Sequence, residues 1–513
     1  MFSRVFSAQV NLLKGQIISV ETDISNGLNH FSIVGLPDKA IDEAKDRVGS
    51  ALKNSNFSSP KHTNQKTIIS LAPAEIKKEG PYFDVAIALG YLLSKEEINF
   101  DPEKRIFLGE LGLNGEVKAV RGILPLTRCA KDAGFEEIYV PADNAREAGM
   151  VEGIKVFGVK NLKQLTEHLN NVEEKTEDEI GLEIADESFW REEAVLSDID
   201  ISEIRGQESA KRGLEIAAAG GHHILMFGPP GTGKTMLARA FTALLPKLEK
   251  SDALDVTGIH SIAGALKTNI ITRPPFRTPH HTSSYAAVVG GGTNINPGEI
   301  TLAHKGVLFL DEFPEFDRRV VESLRQPLED RTVTIARSKG VAKFPASFIL
   351  ILAMNPCPCG YFGTKKKVCV CTASDLAKYK RKTSGPLIDR IDISLNVESV
   401  DYEKLSLAPT GEKSEDIRAR IKKARDIQKS RFEKMERNIK TNAEMNVKDL
   451  NNILLQDTVK TLLNESAKKL NLSARSYHRI IKLARTIADL AGTEDISQPH
   501  LLEAFQYRPK INL

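Results

Sequence analysis

The chain has 513 residues, of which 41% are hydrophobic and 27% are charged, a composition typical of globular domains rather than of disordered or fibrous chains. About three or four domains of ordinary size fit this length. The formal net charge of +3 does not by itself identify a nucleic-acid binder, so any such surface has to be local. No apolar run approaches the ~20 residues of a membrane span and the N-terminus lacks a signal-peptide pattern, which predicts a cytoplasmic protein without a membrane partner.

The first segment, residues 1–165, alternates between strand and helix patterns and is predicted to form an α+β domain. The predicted strands and helices, in chain order, cover residues 16–22, 31–34, 38–53, 66–71, 84–93, 107–112, 117–120 and 137–140. Asn114 and Gly115 predict a hairpin turn. The acidic run within residues 166–195 has no apolar period and predicts an exposed linker, with Trp190 packing at its end.

A phosphate-binding pattern opens the next segment, residues 196–398. It has the form G-x-x-x-x-G-K-[ST] and consists of Gly228, Pro229, Pro230, Gly231, Thr232, Gly233, Lys234 and Thr235. A buried-strand pattern precedes it and a helix pattern follows, so backbone N–H groups and the positive end of the helix would face a phosphate. We therefore expect Lys234 to reach the β/γ-phosphates of ATP and Thr235 to offer its hydroxyl to Mg²⁺.

Acidic side chains follow the apolar strand pattern of residues 306–310. Asp311 and Glu312 come directly after it, at the end where ligands bind in a parallel α/β sheet. Asp311 is expected to hold Mg²⁺ through water. Glu312 is expected to orient and deprotonate the water that attacks ATP.

Two further polar residues have the placement of hydrolysis sensors. Asn355 ends the strand pattern of residues 347–354, where its amide can bind the γ-phosphate or the attacking water. Arg390 lies in a segment that can be offered across a subunit boundary to a neighbour's γ-phosphate, a contribution of about 10³–10⁵ in turnover where it has been measured.

Residues 331–344 alternate on both sides of a Ser-Lys-Gly tip and predict a β-hairpin. Arg337, Lys339 and Lys343 are placed to meet DNA backbone phosphates without reading sequence. A structural hairpin with a solvated tip is the alternative.

A glycine-rich stretch within residues 258–304 contains His280 and His281. Its glycines predict mobility, and the arginines around the two histidines favour a second DNA-binding loop. A structural or solvent-facing histidine pair is the alternative.

Four of the five cysteines fall within a short segment, and these are Cys357, Cys359, Cys369 and Cys371. Four thiolates can close a tetrahedral Zn²⁺ site. The C-x-C spacing is tighter than that of most zinc sites, which leaves a free-thiol loop or a redox pair as alternatives.

The last segment, residues 399–513, is predicted to be entirely helical. Helical patterns cover residues 415–437, 459–469 and 473–490, and Ser473 is the predicted N-cap of the third.

The nucleotide motifs together resemble the AAA+ ATPases, and specifically their magnesium-chelatase-like branch. The segments that carry the resemblance are the P-loop, residues 206–208, 277–281, 306–312, 354–360 and 384–393. The resemblance implies hexameric rings. It also implies a second sensor segment at residues 472–479, in which Arg475, or Arg479 as the alternative, reaches the γ-phosphate.

The first domain is similar to the Lon protease C-terminal domain, which has a ribosomal S5 domain 2-like fold, through Gly80-Pro81, residues 108–117 and residues 130–141. Tyr82 stands where a Lon-type protease has its nucleophilic serine, and Leu126 stands where its lysine partner is expected. A phenol and an aliphatic side chain cannot perform Ser–Lys acyl transfer, so the domain is expected to be non-proteolytic and to serve assembly or DNA contact.

With this Lon-like domain in front of the ATPase, the chain resembles the YifB/ComM family over its whole length. The resemblance implies a multidomain α/β protein: a Lon-like domain, an AAA+ domain with a parallel sheet and a C-terminal helical lid. In ComM it implies a DNA helicase that drives branch migration during natural transformation, with further copies of the chain, DNA and recombination proteins as candidate partners. The alternative is a motor subunit that remodels a partner protein, as in magnesium chelatase; a regulator that only changes shape with ATP is disfavoured by Glu312 and Arg390.

Overall fold

The computed structural model describes residues 1–60, 64–170, 182, 184–185, 199–266, 270–292, 295–337, 340–363, 367–383, 387–400 and 411–508. Contacts divide the chain into two compact units, Met1–Glu193 with Ala253–Ile271, and Ala194–Asp252 with Thr272–Leu513. Trp190 and most of the predicted linker lie outside the described residues. The linker was predicted to begin at residue 166, but a helix with buried Leu165 and Leu169 continues to Asn170.

The first unit is a mixed α/β fold, and most of its predicted elements are confirmed within a few residues. The first strand was not predicted. The elements are β1 (Phe2–Asn11), β2 (Lys14–Asn26), β3 (His30–Val34), α1 (Lys39–Asn54), β4 (Gln65–Ala72), α2 (Asp84–Ser94), β5 (Arg105–Phe107), β6 (Glu110–Leu111), β7 (Val117–Lys118), α3 (Ile123–Asp132), β8 (Glu137–Pro141), α4 (Ala145–Ala148), β9 (Lys155–Val159) and α5 (Leu162–Asn170).

Seven strands of the first unit form one sheet in the order β3-β4-β2-β1-β5-β8-β9. The β1–β2 and β2–β4 pairs are antiparallel, and the remaining pairs are parallel. Neighbouring residues of a strand face opposite sides, so Tyr139 joins the core that contains α1 and α2, whereas Ile138 joins the core that contains α3. Helices therefore cover both faces of this sheet.

The second unit carries the nucleotide motifs. The helix α8 (Lys250–Ile262) starts in this unit, but its residues from Ala253 onward belong to the first unit. The other elements are α6 (Glu208–Gly220), β10 (Ile224–Phe227), α7 (Lys234–Leu244), β11 (Phe276–Arg277), α9 (Tyr285–Val289), β12 (Gly290–Gly291), β13 (Asn296–Pro297), α10 (Glu299–Leu302), β14 (Val307–Leu310), α11 (Arg318–Ser323), α12 (Arg325–Asp330), β15 (Thr332–Arg337), β16 (Gly340–Pro345), β17 (Ile349–Met354), α13 (Ala373–Thr383), β18 (Ile393–Asn396), α14 (Ser414–Lys434), α15 (Val447–Asn451), α16 (Asp457–Lys469), α17 (Ala474–Leu490) and α18 (Gln498–Gln506).

The sheet of the second unit has the order β11-β14-β17-β10-β18, and all its pairs are parallel. Its central strands β14 and β17 are buried along their whole length, which explains why their sequences are unbroken apolar runs. All five carboxyl ends meet at one edge of the sheet, so the loops after β10, β14 and β17 are brought together.

The C-terminal residues 411–508 form helices, with no strand among the residues described there. The predicted N-cap of α17 is confirmed, because the side chain of Ser473 accepts the backbone N–H of Ser476. Across the described parts of the chain, we find no helix with the length and apolarity that crossing a bilayer requires.

Candidate active site

The loop between β10 and α7 is shaped for close backbone approach. A Cβ atom on Gly228 would lie 2.0 Å from the carbonyl oxygen of Val397, so no side chain fits there. Gly233 has a φ of 90° and caps α7, whose first residue is Lys234. The loop therefore wraps the N-terminus of a helix, where backbone N–H groups and the helix dipole favour an anion.

Lys234 is only 8% exposed and is held at this loop. Its Nζ atom donates to the carbonyl oxygens of Gly228 at 2.8 Å and Pro229 at 2.7 Å, and to Oδ1 of Asn355 at 3.1 Å. Burial lowers the pKa of Lys234, while the nearby carboxylates of Asp311 and Glu312 act in the opposite direction. The structure thus brings together the P-loop lysine and the predicted sensor asparagine, although 121 residues separate them.

The two residues predicted to serve Mg²⁺ are also adjacent. The hydroxyl of Thr235 donates to Oδ2 of Asp311 at 2.8 Å. A hydroxyl and a carboxylate at one point are oxygen ligands of the kind that Mg²⁺ prefers, so these residues fit the ion.

Glu312 follows Asp311 in an unusual backbone conformation. Its φ of 49° and ψ of 42° lie in the left-handed region, which residues other than glycine seldom adopt. Residues with such strained backbone conformations are concentrated at functional sites. Its N–H donates to Oδ1 of Asp311 at 3.0 Å, and its side chain is 58% exposed. The carboxylate is therefore presented to solvent next to the residues predicted to bind Mg²⁺, as a general base for water requires.

His281 lies close to the carboxylate of Glu312. Its Nδ1 atom is 3.8 Å from Oε2 of Glu312, and the centre of its ring lies 4.2 Å from that of the exposed His280, with the two ring planes inclined by 32°. The sequence assigned both histidines to DNA contact, whereas this placement relates His281 to the nucleotide site. The glycine run beside them forms a paired ladder, Gly290–Gly291 with Asn296–Pro297, rather than a long loop.

The two arginines predicted to reach the γ-phosphate converge on one acid that the sequence did not single out. Arg390 and Arg475 both donate to Oε1 of Glu329, the latter at 2.7 Å. Glu329 resembles the other exposed acids of this region in sequence, and its role depends on a tertiary contact that no local pattern reports.

Arg479, the alternative to Arg475, makes its hydrogen bonds to other residues of this chain. It donates to the carbonyl oxygen of Ile391 and, at 3.1 Å, to the hydroxyl of Ser476, and burial lowers its pKa. Arg475 is 51% exposed, so its guanidinium is the more available of the two for a ligand.

The predicted hairpin is confirmed as the antiparallel pair β15–β16. Its buried face consists of Val333, Ile335, Ala342 and Phe344. Lys343 lies on the opposite, exposed face, across from Thr334. Lys339 and the side chain of Arg337 lie outside the described residues.

The four clustered cysteines converge in space. Their Sγ atoms all lie within 4.8 Å of one another, with Cys357 to Cys359 at 3.3 Å, Cys357 to Cys369 at 3.7 Å and Cys359 to Cys369 at 3.6 Å. A tetrahedron with Zn–S bonds of about 2.3 Å places its sulfurs about 3.8 Å apart, so this spacing fits the ion. Backbone N–H groups of Tyr361 and Val370 lower the pKa of Cys359, whereas desolvation and hydrogen bonds with the neighbouring thiols raise the pKa values of Cys369 and Cys371.

Comparison with protein families gives matches along most of the chain. Residues 200–405 match the model described as "Magnesium chelatase, subunit ChlI", residues 20–144 match "Subunit ChlI of Mg-chelatase", and residues 411–508 match "Magnesium chelatase, subunit ChlI C-terminal".

Individual relatives extend the similarity to the full length. The chain is 39% identical to the competence protein ComM of Haemophilus influenzae over 514 residues, covering 99% of this chain and 98% of that protein. It is 38% identical to the uncharacterized protein YifB of Escherichia coli over 496 residues, covering 96% and 94%. A shorter match, 34% identical over 116 residues, covers 22% of this chain and 16% of the archaeal Lon protease of Halobacterium salinarum.

Proposed function

Because the chain belongs to the magnesium-chelatase-like family of AAA+ ATPases that includes ComM and YifB, we propose that it is an ATP-driven DNA translocase of the ComM type. In this proposal a homohexameric ring promotes branch migration of recombination intermediates during natural transformation. The observation that carries it is a nucleotide site of Lys234, Thr235, Asp311 and Glu312 in the same compact unit as a hairpin that presents Lys343 to solvent.

The residues at the sheet edge divide the work of hydrolysis. Lys234 holds the β/γ-phosphates at the helix N-terminus, and Glu312 takes the proton of the attacking water. Thr235 and Asp311 would hold Mg²⁺, which supplies charge stabilisation to the phosphates when bound. Asn355 is in contact with Lys234, so a change at the γ-phosphate is transmitted directly to β17.

The hairpin supplies the surface that moves DNA. Its buried face anchors it through Phe344 and Ile335, and its exposed face carries Lys343. A lysine is a point charge that meets backbone phosphates without base contacts, so the hairpin suits sequence-neutral binding whose strength falls with salt.

A second candidate function is remodelling of a partner protein. The family models are described by magnesium chelatase, and Val341 on the exposed face of the hairpin is 68% exposed. An exposed aliphatic side chain beside the tip would suit contact with a peptide better than contact with a phosphate.

Strand displacement on forked and branched DNA, with ATP turnover measured in parallel, tests the proposal. Lys343→Ala is expected to lower DNA-stimulated turnover and unwinding by about 10-fold or more, because it removes a phosphate contact. Thr334→Ala is the matched control, since Thr334 faces the same side directly across from Lys343. Wild-type protein that hydrolyses ATP but ignores every DNA structure would contradict the proposal and favour the partner-protein alternative.

We also propose that Cys357, Cys359, Cys369 and Cys371 hold a structural Zn²⁺ ion, in addition to the ATP and Mg²⁺ of the active site. The convergence of all four sulfur atoms within 4.8 Å supports this metal over a redox pair, which needs only two. Metal analysis of the purified chain should find about one zinc ion per chain.

A further inference from the structure

We propose that the four-cysteine loop positions the nucleotide site, so that zinc occupancy sets how tightly the chain binds ATP. The inference rests on the zinc site and the ATP site proposed above, and goes beyond both by coupling them. The first cysteine of the loop lies two residues after Asn355, and the last lies two residues before α13. The four cysteines therefore lie between Asn355 and a helix that contacts Asn355 again.

The first link closes the loop onto Asn355. The hydroxyl of Tyr379 in α13 donates to the backbone carbonyl of Asn355 at 2.9 Å. Tyr379 is 6% exposed, and burial raises its pKa, so the donor stays protonated. Asn355 in turn accepts from Lys234, and a displacement of the loop therefore reaches the P-loop lysine through two hydrogen bonds.

The second link is direct contact between the loop backbone and the P-loop. A Cβ atom on Gly360 would lie 2.6 Å from both Cδ and Cγ of Pro230, and Gly360 has a φ of 86°. Glycine is required there for two reasons, the backbone conformation and the close approach. Pro230 and Lys234, at two points of the phosphate-binding loop, are thus both supported by the segment that the cysteines hold.

A third link joins α13 to the turn that follows Glu312. Nζ of Lys382 is 3.3 Å from Oε2 of Glu315, and both side chains are about half exposed, at 54% and 49%. An exposed pair of this kind contributes little stability. The Lys382–Glu315 contact nevertheless shows that α13 lies beside the turn that follows Glu312.

The arm that bears Cys369 and Cys371 has little packing of its own. Val368 and Val370 are 84% and 81% exposed, so no apolar core holds this arm in place. The metal would supply the missing constraint by joining the two arms through four bonds. We therefore expect loss of zinc to release the loop, and with it the support of Pro230 and Asn355.

The experiment measures zinc content and nucleotide affinity on the same full-length protein, without DNA. Wild type is expected to hold about one zinc ion and to bind a fluorescent ATP analogue in the presence of Mg²⁺. Cys369→Ser should lose most of the zinc and bind the analogue at least about 10-fold more weakly. Cys129→Ser is the matched control, because this free cysteine belongs to the first unit, and both properties should be unchanged.

A second variant separates coupling from metal binding. Gly360→Ala should keep the zinc, since it leaves all four thiolates in place, yet weaken nucleotide binding several-fold by pushing on Pro230. To exclude a folding defect, wild type is stripped with a zinc-selective chelator and reloaded with Zn²⁺ alone. Affinity that falls and returns supports the inference.

Wild type that binds nucleotide without any zinc, or stripped protein that binds it as tightly as loaded protein, would overturn the inference. Because no DNA is present, these outcomes are independent of whether the chain moves DNA. A failure to unwind DNA would overturn the proposed translocase and leave this coupling intact.

Discussion

At the residue scale, a substitution of Glu312 should separate ATP binding from ATP hydrolysis. Glu312→Gln should still bind ATP, because Lys234 and the loop glycines are untouched, while turnover falls by about 10²-fold or more, since an amide cannot take the proton of water. Nucleotide titration and phosphate release measure the two effects separately. Glu322→Gln on α11 is the matched control, an acid that pairs with Arg318 at the surface.

Retained turnover in Glu312→Gln would assign water activation to another group. His281 is then the next candidate, because it already lies 3.8 Å from Glu312. The double variant, with His281→Asn added, would decide between them.

Some residues of the candidate active site can be identified from the sequence, and others cannot. Lys234, Thr235 and Asp311 belong to short motifs whose chemistry requires those residue types at that spacing, and the structure brings the three together. Glu329 and Tyr379 act through contacts with residues 61 and 24 positions away, respectively. Such contacts depend on the tertiary fold, which no local periodicity encodes.

At the element scale, most helices and strands could be predicted because amphipathic spacing and caps are local properties. The helix α1 starts at the residue after Asp38, whose side chain accepts the N–H of Ile41 as an N-cap. The order of the strands in each sheet could not be predicted, because pairing partners lie far apart in sequence. The assignment of Ala253–Ile271 to the first unit escaped prediction for the same reason.

A buried histidine, His304, connects the amino ends of β14 and β17. Its protonation should make the unfolding free energy depend on pH. Nδ1 of His304, before β14, accepts the backbone N–H of Ser347, before β17, at 3.1 Å. Burial, with a smaller effect from Lys305, lowers the pKa of His304 to about 4 from an ordinary value of 6.5. Below the ordinary value the unfolded ring binds a proton that the folded ring does not, so stability is lost as the pH falls from about 6.5 towards 4.

His304→Asn keeps an acceptor for Ser347 but cannot be protonated. Between pH of about 7 and 5, wild type should lose about 2 kcal/mol of unfolding free energy through this residue, and the variant should not. Chemical denaturation of the full chain at both pH values measures the difference. Burial also lowers the pKa of His223 to about 4, so His223→Asn should remove a separate part of the loss of unfolding free energy at low pH. If the unfolding free energy of both variants falls with pH as steeply as that of wild type, these histidines are not its cause.

At the scale of the whole molecule, the proposed ring makes Arg390 a residue that serves a neighbouring copy. Arg390→Ala should lower turnover by about 10³-fold or more if its guanidinium stabilises the γ-phosphate of the adjacent subunit. Lys234→Ala should be equally inactive, because its own P-loop no longer holds ATP. Each variant nevertheless keeps the half of the site that the other has lost.

Mixing the two inactive proteins therefore tests the ring. In a random equimolar mixture, about a quarter of the interfaces pair an intact P-loop with an intact Arg390, and turnover should return to a corresponding fraction of wild type. A mixture of Lys234→Ala with Glu312→Gln is the control: both lesions lie on the same side of the interface, so no interface regains a complete site. Recovery in the first mixture and none in the second requires that hydrolysis takes place between copies of this chain. No recovery in the first mixture would place Arg390 in the site of its own subunit, where its contact with Glu329 already holds it.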